Sequence, residues 1–199
     1  YRKDILAQEE AAKKKKQSIK WIIVGVALVI FFAVAIYINT GAMYRSLNAL
    51  TVSSTEVTVG DMTVSPIDRS FTVAECNYVY NMQFVNFYNT YGSYASMFGL
   101  DVNKPLDEQS CPMGPEDQEN YTWDDYFRDA TKSLLTQMAA FEAYAKANDI
   151  SLDKSDLESV DKTVSAIEDA AKENNYRNAS KFLAAQYGKG ANESVARGI

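Results

Sequence analysis

The residues whose types could do chemistry are two cysteines, Cys76 and Cys111, and acidic clusters such as Glu116-Asp117-Gln118-Glu119 and the trio Asp153, Asp156 and Asp161. No C-x-x-C occurs, so the thiols do not read as a redox or zinc pair. In an oxidising compartment they form a candidate disulfide from a loop to a helix. Such a bridge requires Cα atoms within about 7 Å of each other. The acidic clusters lack the Asp-x-Asp-x-Asp-Gly pattern with a closing Glu that marks a calcium loop. They read instead as solvated loop and helix starts, where helix dipoles favour Asp124, Asp125 and Asp156. Histidine is absent from all 199 residues, which removes the usual general base, the commonest metal ligand and every His-dependent triad. No Gly-rich phosphate loop, nucleophile elbow or paired Ser/Lys motif is present. The chain offers no catalytic constellation and implies no metal and no cofactor.

What remains is recognition. Tyr78, Tyr80, Phe84, Phe87, Tyr88, Tyr91, Tyr94 and Phe98 crowd one short stretch. Aromatic residues at helical spacing mostly pack into a core, so about two-thirds of these belong there and the rest are available to partners. The candidate client-binding set is Tyr78, Phe84, Tyr88, Tyr91, Met97 and Phe98. Each large side chain fully buried contributes about 1.5–3 kcal/mol, so a few give weak, reversible capture once association costs are met. Three sequons, Asn120-Tyr121-Thr122, Asn178-Ala179-Ser180 and Asn192-Glu193-Ser194, are glycan acceptors in a eukaryotic secretory protein. Asn178 and Asn192 are better explained as helix N-caps, and Thr122 as another.

Residues 21–38 (WIIVGVALVIFFAVAIYI) run 18 residues without a charge. At about 1.5 Å per residue they span about 27 Å, close to a bilayer's hydrocarbon thickness. Residues 1–20 carry seven Lys/Arg against three acids, a net of +4, and no cation follows the apolar run until Arg45. The positive-inside rule places residues 1–20 in the cytoplasm as a basic tail and everything after 38 outside it. A cleaved secretory signal is the alternative, with small residues at Thr40-Gly41-Ala42. The apolar run exceeds the usual signal core, which favours a retained anchor. The expected location is therefore the cell membrane, single-pass, touching lipid through 21–38. The part beyond the anchor holds 13 Lys/Arg and 23 Asp/Glu, a net of −10, which argues against nucleic acid and against lying flat on an anionic bilayer.

Residues 39–54 are polar and aperiodic enough to read as a juxtamembrane linker, leaving 55–199 as the extracytoplasmic domain. Val57-Thr58-Val59, Gly60-Asp61 and Met62-Thr63-Val64 predict a hairpin with a type II′ turn, ended by Pro66. A helix follows from about Val73 to Tyr91, opened by a Thr72/Glu75 capping box and carrying the stripe Cys76, Tyr80, Phe84, Phe87, Tyr91. Lys104–Glu119 is a long Pro-containing loop. A second helix opens at Thr122 with Asp125 and carries Trp123, Phe127, Ala130, Leu134, Met138, Phe141 and Ala145. A third is expected from Ser155 with Glu158, burying Leu157, Val160, Val164, Ile167 and Ala171. A short fourth runs from Asn178 to a terminating Gly188, and a fifth starts near Asn192. The fold class is thus mainly α: one membrane-spanning helix, a small hairpin, and a bundle of four to five helices. With no initial Met and an end one turn into a helix, the chain reads as a fragment.

The order VTVGDMTV, TVAECNYVYNMQFVNFY, two capped helices and FLAAQYGKGANESVARGI, over about residues 56–199, resembles the N-terminal chaperone region of the SurA/trigger-factor-like superfamily. The resemblance is in particular to the membrane-anchored foldases of Gram-positive bacteria. Glu75-Cys76-Asn77-Tyr78 stands where that family typically has Glu-Phe-Asn-Tyr, with Cys for the apolar residue. Tyr187–Gly190 also looks like the family. The resemblance implies a holdase or foldase whose helical arms hold unfolded exported polypeptides. Many relatives carry an inserted parvulin-type prolyl isomerase domain, and this chain has no residues assignable to such a site. Isomerase activity is therefore expected only from sequence beyond Ile199, with this chain as a non-catalytic part. The alternative is an ectodomain that binds one specific envelope or membrane partner.

Overall fold

A computed structural model describes the backbone of residues 2–55, 57–59, 62–64 and 66–199 and the side chains of 20–55 and 66–199. It divides into two compact units, Tyr1–Ala42 and Met43–Ile199. The first is one helix, α1 (Arg2–Asn39). Strong helix formers (Ala, Lys, Glu, Gln) carry the helix through the basic tail without a break. Its stretch Lys20–Asn39 has a mean hydropathy of 2.9 and is long and apolar enough to cross a membrane. The helix stops at Gly41, whose φ of 74° is a left-handed conformation suited to glycine.

The second unit is mainly helical, as the sequence leads one to expect. Its elements are α2 (Ala42–Ser46, shared with the boundary), β1 (Asn48–Ser54), β2 (Val57–Val59), β3 (Met62–Val64), β4 (Ile67–Thr72), α3 (Val73–Tyr91), α4 (Trp123–Ala147), α5 (Lys154–Glu173), α6 (Ala179–Tyr187) and α7 (Glu193–Gly198). The expected hairpin is present: Val57 pairs with Val64 and Val59 with Met62. Its turn, Gly60-Asp61, lies outside the described residues.

The linker reading of 39–54 is corrected. Asn48–Ser54 is a strand, antiparallel to Ile67–Thr72, with Leu50 opposite Phe71 and Val52 opposite Arg69. This ribbon encloses the short hairpin in sequence, and the folded unit begins at Met43 rather than near residue 55. Alternation explains the strand: Leu50 and Val52 turn inward while Thr51 and Ser53 face water. Thr51 and Ser70 hydroxyls meet across the ladder at 3.0 Å.

Two apolar clusters hold α3 against α4. The first joins Phe87, Ala95, Leu100, Cys111, Tyr121, Trp123 and Phe127. Most of its rings meet edge-to-face or tilted, Phe87 on Trp123 at 5.1 Å and Phe84 on Phe127 at 5.5 Å, while Trp123 and Phe127 stack, geometries that add to area burial. The second joins Phe71, Val79, Leu135 and Ala139, with Leu50, Val52 and Ile67 of the ribbon packed on it. Arg69 ties the ribbon to both helices, 3.3 Å from Glu75 and 3.3 Å from Glu142, with its guanidinium over the Phe71 ring. Deep in α4 the buried row is Trp123, Phe127, Thr131, Leu135, Ala139 and Ala143, one residue past the expected Ala130, Leu134 and Met138 and two past Phe141. Phe141, expected inside, is 71% exposed.

Capping boxes start α3 at Thr72 with Glu75 and α4 at Thr122 with Asp125, as expected. The third is corrected: α5 is capped by Asp153 with Asp156, not by Ser155 with Glu158. Asp153 accepts from the backbone N–H of both Ser155 and Asp156. Val164 and Ala171 are buried as expected, but Leu157 is exposed. Asn178 and Asn192 cap α6 and α7 by accepting from Lys181 and Val195 N–H groups.

The Tyr187–Gly190 stretch lays the α6–α7 connection on α3. Asn81 and Asn77 donate to the carbonyls of Tyr187 and Lys189, and Tyr78 and Tyr187 rings lie 4.9 Å apart. Gly190, at φ 95°, lies so close to α3 and α2 that a Cβ would sit 2.7 Å from that of Tyr44 and 2.8 Å from that of Ala74.

Candidate functional site

The C-terminal half of α3 rotates its aromatic face out of the core as it passes the start of α4, where Phe87 meets Trp123. Phe87 stays inside, while Tyr88 and Tyr91 reach solvent. Gly92 then leads into a 3-10 segment, Gly92–Phe98, which carries Tyr94 and Met97 outward at 59% and 79% exposure. Ala95 and Leu100, both buried, pin this segment to the aromatic cluster. Gly99 closes it at φ 78°, with Leu100 N–H donating to the Ala95 carbonyl. The result is a shelf of four exposed side chains, Tyr88, Tyr91, Tyr94 and Met97, the first of which also lines an open groove of about 360 Å³ with Ala95, Ser96, Leu100, Asp101 and Val102.

The outer wall of the groove is held by a residue that sequence reasoning missed. Gln109 is buried, a rare fate for glutamine unless its amide is satisfied. Its Oε1 accepts from Asp101 N–H at 2.7 Å, and its Nε2 lies 3.0 Å from the carbonyls of Asp101, Lys104 and Pro105. Its own carbonyl accepts from Trp123 N–H, and the neighbouring Ser110–Thr122 bridge fixes the loop to the start of α4. The loop is therefore a preformed wall. Hydrogen bonds from Asn103, backbone first, keep the Asp101 carboxyl below the usual carboxylate range.

Of the expected set, Tyr88, Tyr91 and Met97 lie together on the shelf. Tyr78, Phe84 and Phe98 are half-buried, Phe84 and Phe98 against the aromatic cluster and Tyr78 against the other. Tyr94, left out of that set, is more exposed than any of its tyrosines. A signal for it is present in the sequence: Cys76–Leu100 contains no charged residue, although Asn86, Asn89, Thr90, Ser93 and Ser96 are exposed. Solvent-facing helix without charge, rich in Tyr, Asn and Ser, has the composition of protein-recognition surfaces. There tyrosine supplies rigid amphipathic contact area and small polar residues supply adaptable hydrogen bonds.

A second groove, about 430 Å³, lies between β1, α3 and α4, with Leu50, Cys76, Tyr80 and Thr131 inside and Arg128 and Lys132 at its edge. Asp124 occupies Arg128 at 2.8 Å and also accepts the Tyr80 hydroxyl at 2.8 Å. Burial, reinforced by that bond, pushes the Tyr80 phenol far up, so it acts as a fixed donor.

The candidate disulfide does not form: Cys76 and Cys111 are free thiols, packed into different clusters. Burial raises both thiols above their ordinary value, which keeps them protonated and poorly nucleophilic. Among the described residues no group of three or more His, Cys, Asp or Glu side chains converges to hold a metal ion. Compared with known protein families, characterised proteins and solved structures, the chain matches none.

Proposed function

We propose that this chain is a membrane-anchored, extracytoplasmic folding chaperone that captures apolar segments of unfolded exported polypeptides without catalysing a reaction. One observation carries the reading. Four large side chains within ten residues, Tyr88, Tyr91, Tyr94 and Met97, stand in water, and Tyr88 lines a groove. Large side chains left exposed so close together in sequence mark a surface that a partner covers. The anchor is the apolar stretch of α1, and the charge asymmetry around it directs residues 43–199 outward. The resemblance to the SurA-like foldases is in keeping with this reading, and so is a site built for weak contact.

Aggregation assays on the 199-residue chain in phosphatidylcholine nanodiscs test it. Light scattering of several unrelated, chemically unfolded clients should fall at near-stoichiometric ratios, and empty nanodiscs should leave it unchanged. A folded chain that suppresses none of them would remove the chaperone reading and leave an ectodomain with one native partner.

A further inference from the structure

Resting on the anchored part of that reading, we infer that residues 174–199 form a separate contact surface, a basic end of the domain that docks on anionic lipid headgroups beside the anchor. The net charge of the part beyond the anchor conceals a segregation. Residues 39–173 carry nine Lys/Arg against 22 acids, whereas residues 174–199 carry four Lys/Arg against one acid. That acid, Glu193, accepts the Ser180 hydroxyl at 3.5 Å. On α5, which packs against α6, Asp169 is taken up by Lys172 at 3.0 Å. Arg197 is held by Asp161 of the same helix at 2.9 Å. Arg177, Lys181 and Lys189 are exposed and form no ion pair among the described residues.

Contacts within the domain tie this basic end to the residues that leave the membrane. Arg45 of α2 donates to the Gly190 carbonyl at 3.2 Å, and a Cβ on Gly190 would lie 2.7 Å from that of Tyr44. Lys189 is therefore one residue from a contact with α2. Its own carbonyl accepts from Asn77 at 3.3 Å, so the side chain is presented from a fixed backbone. Six residues separate Asn39, the last of the membrane-crossing stretch, from Arg45. A chain of that length reaches at most about 20 Å. Lys181 stands six residues before Tyr187, the end of α6, which is about 9 Å of helix rise. The exposed cations are thus leashed close to the headgroups, while acids dominate the rest of the domain. Near an anionic surface Lys and Arg are drawn in and acids repelled, over a Debye length of about 8 Å at physiological ionic strength. Because the two signs are segregated along the chain, an anionic bilayer orients the domain with its basic end down, and a neutral bilayer does not.

The test holds the 199-residue chain in nanodiscs of phosphatidylcholine, alone or mixed equally with phosphatidylglycerol. The photo-crosslinker p-benzoylphenylalanine takes the place of Ala185, which is exposed on α6 between Lys181 and Lys189. Irradiation should give about fivefold more lipid adduct in the mixed discs, and mass spectrometry should find phosphatidylglycerol in it beyond its half share. The excess should fall below about twofold in about 0.5 M salt. Arg177→Gln, Lys181→Gln and Lys189→Gln together should lower the yield to the phosphatidylcholine level with circular dichroism unchanged. The same crosslinker in place of Lys162 on α5 should give little adduct in either disc. Equal yields from the two kinds of disc, or a yield that the triple variant does not lower, would overturn the headgroup contact and leave the anchor standing. A chain that does not co-elute with the discs would overturn the anchor and the inference together.

Discussion

Replacing Tyr94 and Met97 together by serine should weaken capture of an unfolded client by about a hundredfold without loosening the fold. The two side chains leave 59% and 79% of their surface in water. At about 200 Å² for a large side chain their exposed surface is about 280 Å², and a client covering half of it removes about 140 Å² from water. At about 25 cal/mol per Å², less what serine retains, the loss is about 3 kcal/mol. Neither side chain belongs to the two core clusters, so the melting temperature should stay within about 2 °C. The assay is anisotropy of labelled, reduced and carboxamidomethylated lysozyme, a basic chain that cannot refold, against the 199-residue chain in nanodiscs. An affinity change under about threefold with the fold intact would refute the shelf as the contact surface.

Gly190→Ala should destabilise the Met43–Ile199 unit by about 2–4 kcal/mol in urea unfolding, since it adds a Cβ in a left-handed conformation against Tyr44 and Ala74. Gly198→Ala, with nothing within 4 Å of the new Cβ, should leave stability within about 0.5 kcal/mol. The hydroxyl and backbone N–H of Thr122 hold the Asp125 carboxyl below its ordinary value. Its contribution is present above the ordinary carboxyl pKa, about 4, and is lost as pH falls through the lowered one, so melting curves should move down below about pH 4. Thr122→Val should flatten that acid limb. Mass spectrometry after alkylation without reductant should find two thiols labelled in urea, Cys111 slowly or not at all in the native state, and no Cys76–Cys111 bridge.

Local signals in this chain were legible where one pattern had no competitor. Thr72 with Glu75 and Thr122 with Asp125 announce helix starts because a hydroxyl is followed three residues on by an acid and then by apolar spacing. At α5 two such patterns overlap two residues apart. Asp153 wins because its short carboxylate reaches two backbone N–H groups while Ser155 donates to it.

Long-range pairing was not legible. Leu50 and Val52 are too short an alternation to declare a strand until β4 supplies Phe71 opposite Leu50. In α4 the buried row steps by four, drifting about 40° per step as it winds from the aromatic cluster to the ribbon. Thr131 hid within that row by type: its hydroxyl is satisfied by donating to the Phe127 carbonyl at 2.7 Å, so it can be buried. At the shelf, the aromatic residues announced a contact surface. The division between core and solvent depended on where α4 starts against α3, and periodicity does not encode that. Gln109 carried no signal at all, because its role depends on a loop folding back onto its own start.

Photo-crosslinking reads both whether a client is captured and where on the chain it is held. With p-benzoylphenylalanine at position 97 of the nanodisc-held chain, irradiation with unfolded lysozyme should give a covalent adduct, and the same group at the exposed α5 position Lys162 should give little or none. Equal yields at the two positions, or a yield only at 162, would contradict capture on the tyrosine–methionine shelf.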